Sequence, residues 1–246
     1  MTSDVGQEAK QFVVLDWDGV LRLGFLVIDW AEHLMTRTAF PPDVARKMRD
    51  QLNAYYDGEL SYAEIASTIP ELYVAGLQGL PVSEHQDIAA AYVQSQGFLS
   101  SLTPLAEPLL TFVREAVDLY TIIISGGPAT VLEHFASSAG VDGVWAVRAE
   151  AKDGYFTGRM EDNPATLDRK QALIDNCFEE GRILLAAGDS ESDQPMLVAA
   201  SHRIVIGSSL ANEWRGEPNT LALPKGELAQ EDVARIQIFL KRLEER

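Results

Sequence analysis

One ten-residue stretch near the N-terminus, FVVLDWDGVL at positions 12–21, constrains the fold of this chain more than any other segment. Its first four residues are apolar and include two β-branched valines, which is typical of a short strand buried within a sheet. The apolar run ends at Asp16 and Asp18, and Gly19 then allows the chain to turn. Because ligands bind at the carboxyl ends of strands in parallel α/β sheets, we expect both carboxylates at a functional edge.

The following segment, residues 24–101, has little strand character and several signals for helix starts. Apolar residues recur there at helical spacing. Capping-box patterns at 61–64 and 83–86 predict two further helix starts, while Pro70 and a Gly/Pro cluster at 76–81 predict breaks. We interpret residues 24–101 as a small helical domain, a cap, inserted after the first strand.

From Pro104 onward, helical and strand patterns alternate along the chain. Strands are predicted at 119–124, 144–151, 155–157, 183–187 and 204–206, and an amphipathic terminal helix at 231–242. Alternation of this kind predicts a parallel sheet with helices on both faces. Residues 1–23 and 102–246 are therefore expected to form one α/β core, a three-layer arrangement around a Rossmann-like sheet.

The overall charge narrows the classes of partner. The 246 residues carry a formal net charge of −17, and the sequence pI is about 4.5. Nucleic acids and anionic membranes bind basic surfaces, so neither is expected as a partner. The polar N-terminus has no apolar segment, which predicts a cytoplasmic protein without a signal peptide or membrane span. Cys177 is the single cysteine, which excludes an internal disulfide.

Four groups of polar residues follow strands or begin helices of the predicted core. They are Asp16 with Asp18, Ser125-Gly126-Gly127, Lys170, and Gly188-Asp189 with Asp193. Each group alone has a simpler interpretation: aspartates and glycines form turns, Lys170 could be a surface residue, and Asp193 could cap the helix predicted at 194–200. Their joint occurrence around one sheet is the informative observation.

The chemistry of these residues predicts a magnesium site beside a phosphate site. Converging carboxylates repel each other unless a cation lies between them, and Mg²⁺ prefers oxygen ligands and bridges to phosphate. Ser125 and the amides after it are suited to hold phosphate oxygens. Lys170 adds the positive charge that a transferring phosphoryl group needs.

Four segments together resemble the motifs of the haloacid dehalogenase superfamily of aspartate-nucleophile hydrolases. They are FVVLDWDGVL, TIIISGG, Lys170 within DRKQALI, and GDSESDQPML. The serine and two glycines at 125–127 and the hairpin VRAEAKDGYFTGRM are similar to the phosphoserine phosphatase branch, and the helical insert corresponds to that family's cap. The resemblance covers nearly the whole chain.

The resemblance implies a role for each matching residue. Asp16 would be the nucleophile that becomes an aspartyl phosphate, and Asp18 the acid for the leaving group and then the base for water. Ser125, Gly126 and Lys170 would bind phosphate. Mg²⁺ would be held by Asp16, the backbone carbonyl of Asp18 and Asp189, with Asp193 acting through water or orienting Lys170. The implied activity is magnesium-dependent hydrolysis of a small phosphate monoester.

Two departures from the branch concern the substrate. Phosphoserine phosphatases usually carry a glutamate in the first cap helix that meets the substrate ammonium, whereas Phe25, Leu26 and Val27 stand in that region here. Ser192 occupies a position where asparagine is often found. The expected substrate is therefore a small phosphorylated metabolite of open identity, and the oligomeric state is open too.

Two alternatives to hydrolysis remain at the level of sequence. One is phosphoryl transfer to an acceptor alcohol on the same fold, and the other is a catalytically silent binding or regulatory domain. A dehalogenase is disfavoured because a halide leaving group does not need the acid that Asp18 supplies. A phosphonatase is disfavoured because the cap offers only Lys47 as an amine for a Schiff base.

Overall fold

The centre of the molecule is a mainly parallel sheet. The structure is a computed structural model that describes residues 10–224 and 228–244. Seven strands within these ranges form one sheet in the order β4-β3-β2-β1-β5-β6-β7, and only the β3–β4 pair is antiparallel. The strands are β1 Lys10–Leu15, β2 Leu119–Pro128, β3 Gly143–Lys152, β4 Tyr155–Asp162, β5 Gly181–Gly188, β6 His202–Ile206 and β7 Thr220–Leu223.

Helices account for most of the remaining chain. Those after β1 are α1 Leu26–Met35, α2 Pro42–Tyr56, α3 Tyr62–Gly76, α4 Val82–Val93 and α5 Gln96–Leu99. Those between and after the later strands are α6 Ala106–Glu115, α7 Ala129–Ala139, α8 Leu167–Glu180, α9 Gln194–Ala199, α10 Ser208–Glu213 and α11 Gln230–Glu244. The predicted α/β fold with helices between parallel strands is confirmed.

Strand β1 lies at the middle of the sheet and is buried on both faces. Val13 and Leu15 join one apolar cluster, while Phe12 and Val14 join the cluster on the opposite face. Successive side chains of a strand point to opposite faces, so a continuous apolar run is what a central strand requires. The prediction made from the FVVL run is therefore confirmed.

Two details of the helical segment differ from the sequence-based expectations. Helix α4 begins at Val82 after Pro81, so the capping box expected at 83–86 is wrong. Pro70 lies inside α3 and does not break it. A proline lacks the N–H that would bond to the carbonyl four residues earlier, and here the Asn163 side-chain amide donates to that Ala66 carbonyl at 3.0 Å. The capping box at Ser61 is present as predicted.

The chain leaves the sheet after β1 and returns to it at adjacent points. The Leu23 amide donates to the Ser101 carbonyl at 2.8 Å, and the Thr103 hydroxyl donates to the Val20 carbonyl at 2.5 Å. These contacts tie the two connections side by side near the carboxyl end of β1. Within the described ranges, no helix is long and apolar enough to cross a membrane.

Candidate active site

The register of the central strands brings three polar segments to one edge of the sheet. Leu15, the last residue of β1, pairs with Ile123 of β2 and with Ala187 of β5. Asp16 therefore lies at the same end of the sheet as Ser125 of β2 and as Asp189, which follows β5. The Asp16 amide donates to the Ala187 carbonyl at 2.9 Å, which continues the β1–β5 pairing to this residue. Residues far apart in sequence therefore meet because parallel strands end together.

Lys170 reaches this edge from the first turn of α8. Its side chain is 2% exposed, and its Nζ donates to Asp16 Oδ1 at 2.9 Å and to Asp193 Oδ1. Burial alone would lower the pKa of Lys170, but the charges of Asp16 and Asp193 hold that pKa well above its ordinary value. The ammonium is thus charged and fixed between two carboxylates.

Asp193 organises the loop after β5. Its Oδ2 accepts the amide hydrogens of Asp189 and Ser190 at 3.0 and 2.9 Å, and the Ser190 hydroxyl at 2.9 Å. Its side chain makes no capping bond to α9, so the alternative that Asp193 simply caps this helix is wrong. Its two oxygens instead join this loop to Lys170.

Three carboxylates of this edge could hold a metal ion. Asp16, Asp189 and Asp193 each contribute one carboxylate oxygen, and these three oxygens all lie within 4.8 Å of one another. Burial raises the pKa of Asp16 well above its ordinary value, and the charge of Asp193 adds to that rise while Lys170 opposes it. One ammonium does not balance three carboxylates, so a second cation at this point would be stabilised.

The backbone around these carboxylates is shaped to admit them. A Cβ on Gly19 would lie 2.1 Å from Asp189 Oδ2, and one on Gly188 would lie 2.5 Å from the Asp193 Cβ. Only glycine therefore leaves room for the two aspartates at this edge. The set of carboxylate oxygens, buried on Asp16 and Asp193 and half-buried on Asp189, fits a hard divalent cation such as Mg²⁺.

The Asp18 carboxylate lies outside this three-carboxylate group. Its Oδ1 accepts the Leu26 amide at 2.9 Å, at the first turn of α1, and lies 3.8 Å from Arg22 Nη1. Burial raises the pKa of Asp18 to about 7, although the Arg22 charge and the Leu26 hydrogen bond lower it. A carboxyl with such a pKa can both donate and accept a proton near neutral pH.

Ser125 and Gly126 lie on β2 itself, which differs from the expected tight turn. Strand β2 continues to Pro128, and the shift in its register with β3 falls between Ile124 and Pro128. The Gly127 amide donates to Ser125 Oγ at 2.9 Å. Ser125 and Gly126 both line a cavity of about 740 Å³ that also contains Asp16, Asp18 and Asp189.

One residue at this site was missed by the sequence analysis. Tyr62, the first residue of α3, lines the same cavity, and its hydroxyl accepts a hydrogen bond from Ser192 Oγ at 3.4 Å. Burial raises the pKa of its phenol, which therefore stays neutral. Its position depends on how α3 packs over the sheet edge, and no local sequence pattern indicates that.

Comparisons with known proteins agree with this architecture. The model of the haloacid dehalogenase-like hydrolase family matches residues 13–198. A phosphoserine phosphatase of Streptococcus thermophilus is 25% identical over 203 residues, which cover 78% of this chain and 82% of that protein.

Solved structures with low sequence identity share the fold. A protein of unknown function from Bordetella pertussis superposes with a TM-score of 0.69 at 22% identity, over 87% of this chain and 98% of that chain. A substrate-bound phosphoserine phosphatase complex gives a TM-score of 0.61 at 15% identity, over 93% and 99% of the respective chains. With the family model spanning most of its length, this chain belongs to the haloacid dehalogenase-like hydrolases.

Proposed function

We propose that the protein is a magnesium-dependent phosphatase that hydrolyses a small phosphate monoester through an aspartyl phosphate on Asp16. The observation that carries this proposal is the contact of the buried Lys170 ammonium with Asp16 and Asp193, beside the carboxylate of Asp189. A fixed cation next to a buried carboxylate is suited to a reaction that transfers an anionic group. The similarity to a phosphoserine phosphatase also supports a phosphate ester as substrate.

In the first step, an Asp16 oxygen attacks phosphorus and the bond from phosphorus to the leaving alcohol oxygen breaks. Lys170 stabilises the negative charge of the transferring phosphoryl group, and Ser125 and Gly126, which line the same cavity, bind its oxygens. Covalent catalysis of this kind divides one difficult displacement into two easier steps. Bound Mg²⁺, held by Asp16, Asp189 and the Asp18 carbonyl with Asp193 nearby, would neutralise charge on the phosphate oxygens.

Asp18 is proposed to move the protons of both steps. In the first step, its carboxyl gives a proton to the departing alkoxide, which leaves as the alcohol. In the second, the carboxylate takes a proton from water as the water oxygen attacks phosphorus and the Asp16–phosphorus bond breaks. The pKa of about 7 fits a group that alternates between the two forms.

The assay that tests this proposal is phosphate release from a panel of phosphate monoesters, including p-nitrophenyl phosphate, with Mg²⁺ or with a chelator. We expect turnover with Mg²⁺ only. Asp16→Asn should lower the rate at least roughly a thousandfold, because the amide oxygen is a poor nucleophile.

Asp153→Asn is the matched control for this experiment. Asp153 is exposed in the β3–β4 turn at a φ of 52°, a conformation that asparagine also adopts readily. This variant should keep full activity. Full activity in Asp16→Asn would contradict the nucleophile assignment, and phosphorylated product in the presence of added alcohols would favour phosphoryl transfer instead.

A further inference from the structure

The cavity beside Asp16 continues into an aromatic region formed by the helices α1 to α3. Phe25, Tyr55, Tyr56 and Tyr62 all line it. Ring centroids lie 6.5 Å apart for Phe25 and Tyr55, 6.2 Å for Phe25 and Tyr56, and 6.2 Å for Tyr55 and Tyr62. Ile65, Ile69 and Pro70 of α3 extend this apolar wall. We call these seven residues the aromatic wall.

The charged residues of the cavity are all acidic within the part of the chain that the structure describes. They are Asp16, Asp18, Asp189, Glu191 and Glu213, and no lysine, arginine or histidine of the described residues lines it. Two arginines near the cavity already have carboxylate partners, and Arg22 Nη1 lies 3.8 Å from Asp18 itself. Arg22 Nη2 lies 2.5 Å from Asp29, and Arg49 Nη2 lies 2.7 Å from Glu32.

These two observations constrain the part of the substrate that leaves with the oxygen. Once the phosphate lies at Asp16, Ser125 and Lys170, the remainder of the molecule extends into the rest of the cavity. A carboxylate there would meet acidic residues and apolar rings, and among the described residues the nearby arginines already pair with Asp18, Asp29 and Glu32. An apolar or aromatic group would be removed from water against the rings of the wall.

We propose that the substrate is a phosphate monoester of an alcohol that is aromatic or otherwise apolar and carries no carboxylate. This inference rests on the proposed phosphatase activity and specifies its substrate class. Phosphoserine, which carries a carboxylate on its short polar body, falls outside that class. The aromatic wall determines the preference, while Asp16, Asp18 and Lys170 perform the chemistry.

The test compares kcat/KM for phenethyl phosphate, ethyl phosphate and O-phosphoserine in the presence of Mg²⁺. All three are esters of primary alcohols, so the comparison concerns mainly the group that the cavity binds. Phenethyl phosphate should exceed the other two by at least about tenfold, as expected for burial of a ring. Equal values, or a preference for phosphoserine, would overturn the inference.

Variants at Tyr55 identify the wall as the cause of the preference. Tyr55→Phe keeps the ring and should retain the preference for phenethyl phosphate. Tyr55→Ala should lower kcat/KM for phenethyl phosphate by about tenfold more than it lowers kcat/KM for ethyl phosphate. Tyr155→Ala, at a half-exposed ring on the distant hairpin turn, is the matched control and should change neither value.

Equal losses with both esters in Tyr55→Ala would contradict a role in specificity, provided that the melting temperature shows a folded variant. Failure of the proposed function has a different signature. In that case the wild-type protein would hydrolyse none of the three esters, nor p-nitrophenyl phosphate, with Mg²⁺. Turnover of p-nitrophenyl phosphate together with a preference for phosphoserine would overturn the substrate class alone.

Discussion

Gly19 illustrates how a single residue leaves room for the carboxylate of Asp189 at the candidate site. Its φ is +84°, which strains any residue with a side chain, and the Cβ position lies 2.1 Å from Asp189 Oδ2. Gly154 has the same φ of +84°, but its Cβ would meet no atom of the described residues within 4 Å. The two glycines thus share the backbone requirement and differ in the contact with a carboxylate.

This difference gives a prediction for Gly19→Ala with Gly154→Ala as its control. Both variants should lose about 1 kcal/mol of stability because of the positive φ. Mg²⁺ is expected to raise the melting temperature of the wild type by binding the folded state. Only Gly19→Ala displaces the Asp189 carboxylate, so this variant alone should show a smaller rise. Thermal unfolding over a Mg²⁺ titration measures this, and an unchanged response in Gly19→Ala would contradict the metal assignment.

At the residue scale, most of the candidate site could be predicted because its members follow apolar strands or lie in short motifs. Asp16, Asp189 and Lys170 meet as the sequence indicates. Tyr62 could not be predicted, since its place at the site depends on the packing of α3 above the sheet. The extension of β2 through Ser125 was also missed, because serine and glycine favour turns locally.

At the scale of elements, a buried polar cluster joins three helices of the segment that follows β1. Trp30 of α1 donates its indole N–H to Tyr73 of α3 at 3.2 Å and to Nε2 of His85 of α4 at 3.1 Å. The Tyr73 hydroxyl lies 3.0 Å from the same Nε2. Since an indole only donates, Nε2 is the unprotonated nitrogen, and His85 is neutral in the folded protein.

This cluster predicts a specific dependence of stability on pH. Burial lowers the pKa of His85 to about 4, while the unfolded chain keeps the ordinary value near 6.5. Between these values the unfolded state binds more protons than the folded state. Stability should therefore fall as the pH falls through this window, by roughly 3 kcal/mol for this group.

The comparison of wild type with His85→Gln isolates this effect. Glutamine can still accept a hydrogen bond from Trp30 but does not titrate. Urea unfolding at several pH values from about 7 to about 4 should show a smaller loss of stability in the variant than in the wild type. Parallel pH profiles would contradict a neutral buried His85.

Helix boundaries show where local sequence signals are sufficient. The capping box of Ser61 is formed by residues within one turn, so its pattern predicted the start of α3 correctly. Pro70 was expected to break that helix, but Asn163, far away in sequence, satisfies the Ala66 carbonyl that the proline leaves without a helical partner. A local sequence pattern cannot show contacts of this kind. The short strand β7 was also not predicted from its sequence.

For the whole molecule, the fold offers a reason why so acidic a chain could bind an anionic group, as proposed. The net charge is −17, yet α8 places the buried Lys170 among the carboxylates that follow the central strands at the carboxyl edge of the sheet. In the proposed mechanism, attraction for a phosphate would therefore be local and would depend on Lys170 and on a bound cation. The alternation of strands and helices sufficed to predict this architecture, since both the class of sheet and its functional edge follow from it.

Trapping the covalent intermediate is the most direct test of whether an aspartyl phosphate forms on Asp16. Asp18→Asn, mixed with Mg²⁺ and p-nitrophenyl phosphate, should still form it, because nitrophenolate leaves without a proton, but should hydrolyse it slowly for lack of a base. After acid quenching, mass spectrometry of the peptides should find one phosphoryl group on Asp16. Nitrophenolate release with no phosphorylated peptide, or with the phosphoryl group on another residue, would contradict the proposal that Asp16 is the nucleophile.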